Sequence, residues 1–285
     1  MIRVISFVFI LLIAACKAPQ KQESSTTEAR KIITAGGTVT EIVDALGFGD
    51  QIIATDITST YPASMQSLPS IGYRNQIKAE GILALGPDLI LAEEGYLSED
   101  VVNQLKSAQI EIHFFKKPIQ VEETKKLITD LAAFFEAQVE GNRIIDELQA
   151  DLDSLRSFLV LNNSSPKAAF IMARGPQTVF MAGEGTFAQS IFELAGLQPA
   201  ATGFKDFVPV TPEALVTMNP EFLVFFDSGI ESLGGKEGLA QVKGLSETPA
   251  FKNGHILSFD GHYLSGFGPR VGKAALELAK AARPQ

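Results

Sequence analysis

The sequence predicts an α/β protein made of two lobes that a single long helix joins. Short β-rich runs alternate with amphipathic helical runs from Lys31 onward, which is typical of parallel α/β layers. The alternation stops after Pro118 for a long helical stretch and resumes at Lys167. A stretch in the first half is also echoed in the second half, which indicates two lobes of related construction.

Length and charge limit the classes of function. A chain of 285 residues can bury a large core in one big domain or in two lobes of ordinary size. Its 24 basic and 33 acidic residues give a formal charge of −9. An acidic protein lacks the positive surface that binds nucleic acid or an anionic membrane. We therefore expect no nucleic-acid partner and no direct electrostatic binding to membranes.

Residues 1–16 are predicted to be a lipoprotein signal peptide. A positive start at Arg3 precedes an apolar run from Val4 to Ile13, which is too short to span a membrane. The segment Leu12–Cys16 resembles a bacterial lipobox, in which the cysteine is lipidated. Cys16 is the only cysteine, so lipidation would leave no thiol for disulfides, catalysis or metal binding. The alternative is an ordinary signal peptide with a fortuitous cysteine.

Residues 17–30 are predicted to be a flexible tether, because the segment is polar and contains no large apolar side chain. A tethered lipoprotein lies outside the cytoplasmic membrane. We therefore expect a periplasmic or cell-envelope location, with membrane attachment through the lipid alone.

Residues 31–138 are predicted to form the N-terminal lobe. The predicted strands are Lys31–Ala35, Gln51–Thr55, Asp88–Ala92 and Ile110–Phe115. The predicted helices between them are Thr38–Leu46, Lys78–Ala84 and Ser98–Ser107.

Residues 139–163 are predicted to form the interlobe helix. Apolar residues recur at three- and four-residue spacing from Asn142 to Leu161, which indicates a helix with one buried face. A bend is expected near Glu140-Gly141. The helix should end at the Asn-Asn-Ser-Ser-Pro loop that follows Leu161.

Residues 164–285 are predicted to form the C-terminal lobe. The predicted strands are Lys167–Ala173, Glu221–Phe226 and His255–Phe259. The predicted helices are Thr186–Ala195, Thr211–Met218 and Gly268–Ala282.

The internal echo aligns residues 80–91 with residues 213–224 without a gap. Each copy reads as a helix opened by a glutamate, a proline-acid turn and a buried strand. Thr211 and Pro212 suit the N-cap and first helical position of the second copy. Chance recurrence of this pattern in an α/β protein is the alternative.

These residues resemble the helical-backbone class of substrate-binding proteins of ABC importers, which deliver vitamin B12, iron-siderophore complexes and haem. The resemblance runs from about Lys31 to the end and implies a ligand cleft between the two lobes. Several motifs resemble the haem-binding branch of that class. They are GGTVTEIVDALG (36–47), TSTYP (58–62), LPSIGYRNQIKAEGIL (68–83), GIESLGG (229–235), TPA (248–250) and GFGPR (266–270).

The resemblance implies that Tyr73 is the axial ligand of the haem iron. A phenolate is a recognised haem ligand, and a nearby cation helps to hold this deprotonated form. Relatives often have arginine two residues after the tyrosine and just before the GIESLGG-like motif, but this chain has Asn75 and Ser228. The candidate replacements are Arg74, Lys78, Arg174 and Lys205. The alternative is that Tyr73 only packs at the lobe edge.

The same resemblance implies further pocket residues. His262 and Tyr263 precede the GFGPR motif and are candidates for a second axial ligand or a propionate contact. The remaining candidates are Tyr61, Arg74, Tyr96, Arg174 and Phe204, although packing of Phe204 in the core explains it equally well.

Glu80 and Glu213 match the two docking glutamates of the class, one per lobe, which meet arginines on the permease subunits. The resemblance therefore implies an ABC permease dimer with its ATPase subunits as partner, and a monomeric carrier with haem as its transported ligand. The alternative is that each glutamate only complements its helix N-terminus.

Other functions compete with haem carriage. A ferric siderophore or a corrinoid is the nearest alternative ligand. A zinc or manganese site is disfavoured because His113, His255 and His262 lack metal-ligand spacing. An envelope hydrolase is disfavoured because no GxSxG motif is present. We therefore expect a binding protein that is not an enzyme and has no catalytic cofactor.

Overall fold

The computed structural model describes residues 29–283. The predicted signal peptide, Cys16 and all but the last two residues of the predicted tether lie outside the described residues. None of the helices between residues 29 and 283 combines the length and apolar character that crossing a membrane requires.

Ten strands of the described range form two separate sheets. In the N-lobe they are β1 (Ile32–Ala35), β2 (Ile52–Thr55), β3 (Leu89–Glu93) and β4 (Glu111–Phe115). In the C-lobe they are β5 (Lys167–Ala173), β6 (Val179–Ala182), β7 (Gln198–Pro199), β8 (Phe207–Pro209), β9 (Phe222–Phe226) and β10 (Ile256–Phe259).

Helices flank the two sheets and connect them. They are α1 (Gly37–Val43), α2 (Ala79–Leu85), α3 (Glu99–Ser107), α4 (Val121–Phe134), α5 (Gln138–Leu161), α6 (Phe187–Leu194), α7 (Pro212–Met218), α8 (Asp227–Ser232), α9 (Pro249–Lys252), α10 (Gly261–Ser265) and α11 (Val271–Ala281). The predicted fold class is confirmed: two α/β lobes are joined by one long helix, α5.

The N-lobe sheet is parallel throughout, in the order β2-β1-β3-β4. Its two central strands, β1 and β3, are buried along their whole length. Helices cover both faces of a parallel sheet, so central strands appear as continuous apolar runs. This explains why β1 and β3 were predictable, and all four strands of this lobe lie within one residue of their predicted ends.

The C-lobe sheet is mixed, in the order β10-β9-β5-β6-β8, with β7 beside β5. Strands β5, β9 and β10 are parallel, whereas β6 runs antiparallel to both β5 and β8. The predicted parallel strands are present, but β6, β7 and β8 were not predicted. Strands β7 and β8 have two and three residues, too few to show a periodicity, and β6 is a strand through its antiparallel pairing with β5 and β8.

The largest apolar cluster lies between the two sheets. It contains residues of β1 and β3, of α4, α5 and α11, and of β5 and β9. A second cluster covers the outer face of the C-lobe sheet, and a third covers the outer face of the N-lobe sheet. The inner faces of both sheets therefore pack against the same helices, α4, α5 and α11.

Helix α5 begins at Gln138, one residue before the predicted start of the interlobe helix. The break in the helical stretch lies before Gln138 and not at the predicted Glu140-Gly141. The chain leaves helix α4 at Phe135, passes through Glu136 with a φ of +55°, and starts α5 at Gln138. Gly141 is thus an interior residue of α5, not a bend. A Cβ atom there would lie 2.5 Å from the Cβ of Ala132, so glycine allows α4 and α5 to pack closely.

Gly141→Val should lower the free energy of unfolding by about 1–3 kcal/mol, because the added atoms would force α4 and α5 apart. Gly81→Val is the matched control, since a Cβ on that helical glycine meets no atom within 4 Å. Urea unfolding of both variants measures the difference. Equal stability of Gly141→Val and the wild type would contradict the close-packing role.

The internal echo is present in three dimensions. Helices α2 and α7 have seven residues each, and both end in a left-handed residue, Gly86 and Asn219. The acidic residue of each turn accepts a hydrogen bond from a lysine N–H: Lys31 to Asp88 at 2.8 Å, and Lys167 to Glu221 at 2.9 Å. The following strands, β3 and β9, pair in parallel with β1 and β5. The two lobes therefore share one local construction.

Candidate ligand-binding site

Polar residues of the N-lobe collect where β1, β2 and β3 end. Ligands of parallel α/β sheets bind outside the carboxyl ends of the strands. Asp56 follows β2 and accepts hydrogen bonds from the N–H groups of Gly36 and Thr58, both at 2.8 Å. Glu93 ends β3 and accepts from the N–H of Thr38 at 2.9 Å. These bonds fix the backbone at this edge of the sheet.

Tyr73 lies in the loop between β2 and α2. The loop is held to the end of β2 by the N–H of Ile71, which donates to the Thr55 carbonyl at 2.9 Å. Gly72 has a φ of +100°, a conformation that favours glycine. The sequence Gly72-Tyr73 therefore sets the direction in which the tyrosine leaves the loop.

Arg174 reaches Tyr73 from the opposite lobe. It follows β5 in the tight connection to β6, where its N–H donates to the Thr178 carbonyl at 2.8 Å. Its Nη2 donates to the phenol oxygen of Tyr73 at 3.3 Å. The guanidinium carbons of Arg74 and Arg174 lie 5.9 and 6.0 Å from the centre of the Tyr73 ring. One tyrosine thus faces two cations, one from each lobe.

These cations change the acidity of the phenol. The hydrogen bond from Arg174 lowers the pKa of Tyr73 below its ordinary value, against the opposing effect of partial burial. The positive charges of Arg74 and Arg174 act in the same direction. Tyr73 is therefore better suited than an ordinary tyrosine to act as an anionic oxygen donor.

Arg174→Gln should raise the pKa of Tyr73, because the variant removes the charge that favours the phenolate. A pH titration of phenolate absorbance on the unliganded protein measures this, and Tyr73→Phe identifies the Tyr73 step. Arg156→Gln is the control, since Arg156 pairs with Asp153 on the surface of α5. An unchanged Tyr73 step in Arg174→Gln would contradict the interaction.

Tyr96 lies nearby but has the opposite electrostatic environment. Its hydroxyl lies 3.0 Å from the Thr58 Oγ1. Burial raises the pKa of Tyr96, and the negative charge of Glu93 raises it further. This phenol stays protonated at neutral pH, so it can donate or accept a hydrogen bond but does not supply an anionic ligand.

Tyr61 and Tyr263 border a cavity of about 330 Å³ at the boundary between the lobes. The guanidinium carbon of Arg270 lies 3.5 Å from the ring centre of Tyr61 and 5.0 Å from that of Tyr263. Burial raises the pKa of Tyr263, and the nearby Glu277 carboxylate adds to this effect. The cavity is also lined by Thr60, Gln66, Asp260, Lys273 and Glu277.

A buried ion cluster holds the C-terminal segment to the N-lobe. Glu41 of α1 is 4% exposed and accepts hydrogen bonds from Arg270 Nε at 2.6 Å and Nη2 at 3.0 Å. The Nε2 of His262 lies 2.8 Å from the same carboxylate. Close by, the Thr38 hydroxyl donates to the Gly266 carbonyl at 2.7 Å. We call Glu41, His262 and Arg270 the interlobe cluster.

His262 therefore belongs to the interlobe cluster, and its expected contact with the ligand stays a prediction. Its side chain is 7% exposed and its Nε2 is engaged by Glu41. Glu41 and Arg270 were missed as interacting residues. The sequence carried a signal for Glu41, because it is the only charged residue of the segment GTVTEIV, and an acid buried in such a helix requires a cation as partner.

Phe204 packs against the outer cluster of the C-lobe, and its ring lies where a Cβ of Gly183 would be. It is a packing residue in this arrangement. The other candidate cations, Lys78 and Lys205, are exposed, as is Arg74. Among the described residues, Arg174 is the side chain that hydrogen bonds the phenol of Tyr73.

Glu80 and Glu213 are exposed in the first turns of α2 and α7. Neither takes part in an ion pair with another residue of the range 29–283. In that same range, no three His, Cys, Asp or Glu side chains converge in a way that could hold a bare metal ion.

Comparisons with known proteins agree with the fold. Residues 32–263 match the family described as "Periplasmic binding protein". The "Uncharacterized ABC transporter substrate-binding lipoprotein YvrC" of Bacillus subtilis is 26% identical over 260 residues, which is 90% of this chain and 81% of that protein. A "Vitamin B12-binding protein" of Yersinia pestis is 27% identical over 205 residues, which is 72% of this chain and 71% of the length of that protein.

A solved structure is similar over almost its whole length. It is the "Periplasmic heme-binding protein RhuT from Roseiflexus sp. RS-1 in apo form", with a TM-score of 0.85 and 31% sequence identity. The match covers 89% of this chain and 98% of that one.

Proposed function

Because this chain belongs to the periplasmic binding protein family, we propose that it captures ferric haem outside the cytoplasmic membrane and delivers it to an ABC importer. The observation that carries the proposal is the pair formed by Tyr73 and Arg174, a phenol with a lowered pKa that faces an arginine across the lobes. The similarity to a haem-binding protein at 31% identity supports the same ligand.

The chemistry of the pair suits ferric haem. A phenolate oxygen is a recognised axial ligand of haem iron. The partner arginine lowers the pKa of the phenol and so favours the anionic form that binds the metal. The arginine that this chain lacks at position 75 is thus replaced in function by Arg174 of the C-lobe, which supplies the charge only when the lobes are close together.

Further groups have proposed roles around the ligand. Arg74 is exposed beside Tyr73 and is proposed to pair with a haem propionate. Tyr96 is proposed to remain a neutral hydrogen-bonding phenol. Tyr61 and Tyr263 are proposed to form a polar margin of the pocket together with Arg270. His262 and Phe204 are not part of this proposal.

A corrinoid is the second candidate, because vitamin B12-binding proteins are among the similar proteins. Titrations with haemin, cyanocobalamin and a ferric siderophore distinguish the ligands. The haem proposal expects stoichiometric binding of haemin with a ferric-tyrosinate visible spectrum, and no binding of the other two. Tight binding of cyanocobalamin, together with a haemin titration that shows only the spectrum of free haemin, would identify a corrinoid as the ligand in place of haem.

Anchoring and delivery complete the proposal. Cys16 is proposed to carry the lipid, so that a monomeric carrier remains at the membrane surface near its transporter. Glu80 and Glu213 are proposed to meet cationic side chains on the two permease subunits, whose ATPase partners drive transport. Opposite charges at the rim of an interface guide approach and fix orientation.

A further inference from the structure

The surfaces around α2 and α7 are more alike than the docking charges alone require. The two helices align without a gap, and Leu83 takes the same place in α2 that Val216 takes in α7. Leu83 is 37% exposed and Val216 is 45% exposed, and both are large apolar side chains at the surface. An apolar side chain at the surface is ordinary when it is single, but here it recurs at one position of both lobes.

Each of these apolar residues lies on the same helix face as a docking glutamate. Glu80 and Leu83 are three residues apart, as are Glu213 and Val216, and residues at this spacing are neighbours on a helix surface. A small residue follows each glutamate, Gly81 in α2 and Ala214 in α7. We call Glu80, Gly81 and Leu83 the N-lobe patch, and Glu213, Ala214 and Val216 the C-lobe patch.

A shallow cavity adjoins each patch. The first has a volume of about 410 Å³ and is lined by Glu80 and Gly81 among others. The second has a volume of about 430 Å³ and is lined by Glu213 and Ala214 among others. A lysine also lines each cavity, Lys78 in the first and Lys167 in the second, but neither glutamate forms an ion pair with a cation of the described chain. Both carboxylates are therefore available to an incoming cationic side chain.

We propose that Leu83 and Val216, beside the two docking glutamates, become buried against two equivalent permease subunits and hold the complex together. The proposal rests on the delivery function proposed above. Each subunit presents a cationic side chain to the glutamate and an apolar surface that covers the leucine or valine. Two matching patches on one monomer fit a partner in which the same binding surface occurs twice.

The charged and apolar residues of this surface are expected to affect different rates of binding. Charges at an interface rim mainly raise the association rate and are weakened by salt. Burial of apolar area is not screened by salt, and interface changes of this kind act mostly on the dissociation rate. The two kinds of residue are therefore separable by kinetics.

The test measures binding of the full carrier to the permease–ATPase complex of the same organism in lipid nanodiscs, at low and high salt. The double variant Leu83→Ala/Val216→Ala should dissociate about tenfold faster or more at both salt concentrations, from the loss of two buried side chains. Glu80→Gln/Glu213→Gln should slow association at low salt, with a smaller effect at high salt. Leu161→Ala is the matched control, because that leucine is 84% exposed at the end of α5.

The proposal would be overturned if the double alanine variant dissociated at the wild-type rate. It would also be overturned if Leu161→Ala dissociated as fast as the double alanine variant. A wild-type carrier that self-associates through the patches, detected by light scattering without the permease, would also overturn it. Haemin titration of the double alanine variant separates this proposal from the ligand. Its haem spectrum should equal that of the wild type, whereas failure of the wild type to bind haemin would sink the haem proposal and leave docking measurable.

Discussion

Tyr73→Phe is expected to lose the ferric-tyrosinate spectrum and to weaken haemin binding on the order of a hundredfold, about 2.7 kcal/mol. The variant keeps the ring and its packing but removes the oxygen that is proposed to bind the iron. The loss is therefore a loss of coordination and not of shape. Absorbance titration with haemin and the visible spectrum of the complex provide the two measurements.

Tyr96→Phe is the matched control for this experiment, since it makes the same chemical change at a nearby phenol. It removes only the contact with Thr58, so the tyrosinate spectrum should remain. Arg174→Gln should give an intermediate result, because the phenol remains but its anionic form is less favoured. A full tyrosinate spectrum in Tyr73→Phe would assign the iron to another residue and contradict the proposed ligand.

Glu41→Gln should lower the free energy of unfolding by about 3 kcal/mol, because it leaves Arg270 without its anionic partner at a partly buried site. The carboxylate is almost completely buried, whereas the Arg270 side chain is 24% exposed, which places the effect at the lower end for buried pairs. Urea unfolding measures the change. Glu147→Gln is the control, because Glu147 pairs with Arg143 on the surface and should contribute at most about 0.5 kcal/mol.

The same cluster predicts a dependence of stability on acid. Burial by itself raises the pKa of Glu41, but the hydrogen bonds from His262 and Arg270 outweigh it and hold the pKa below the ordinary value of 4.5. A lowered carboxyl pKa contributes stability that is fully present above the unfolded value and is lost as the pH falls through the folded one. Wild-type protein should therefore lose stability below about pH 4.5 more steeply than Glu41→Gln. Parallel acid dependence of the two proteins would contradict the ion cluster.

The interlobe cluster also bears on how the lobes move. Glu41 lies on α1 of the N-lobe, and its partners follow β10 at the other end of the chain. Tyr73 and Arg174 make a separate polar contact between the lobes. Glu41 and His262 are buried, whereas the Tyr73–Arg174 contact is exposed. We therefore expect the Tyr73 side of the cleft to open for the ligand while the cluster stays closed.

Much of the fold was predictable from local patterns. The four N-lobe strands, the interlobe helix and the echoed helix-turn-strand units all depend on short-range periodicity and on turn residues. Strand β8 was not predictable, because three residues at the edge of a sheet carry too little pattern. Strand β6 was not predictable, because its antiparallel pairing with β5 and β8 is a tertiary contact that the local sequence does not show. The bend expected at Gly141 was wrong for a different reason. That glycine serves a contact with Ala132 across two helices, which the local sequence does not show.

The sequence by itself determined the two-lobe α/β architecture, the repeated placement of Glu80 and Glu213, and Tyr73 as the candidate ligand. Only the tertiary structure decided which cation accompanies Tyr73 and which residues hold the lobes. Arg174 is 101 positions from Tyr73, and Arg270 is 229 positions from Glu41. Contacts over such separations are set by how the sheets pack on the connecting helices, whereas strands and helices form from neighbours along the chain. His262 shows the consequence, since its place in the sequence suggested a ligand and its packing made it a partner of Glu41.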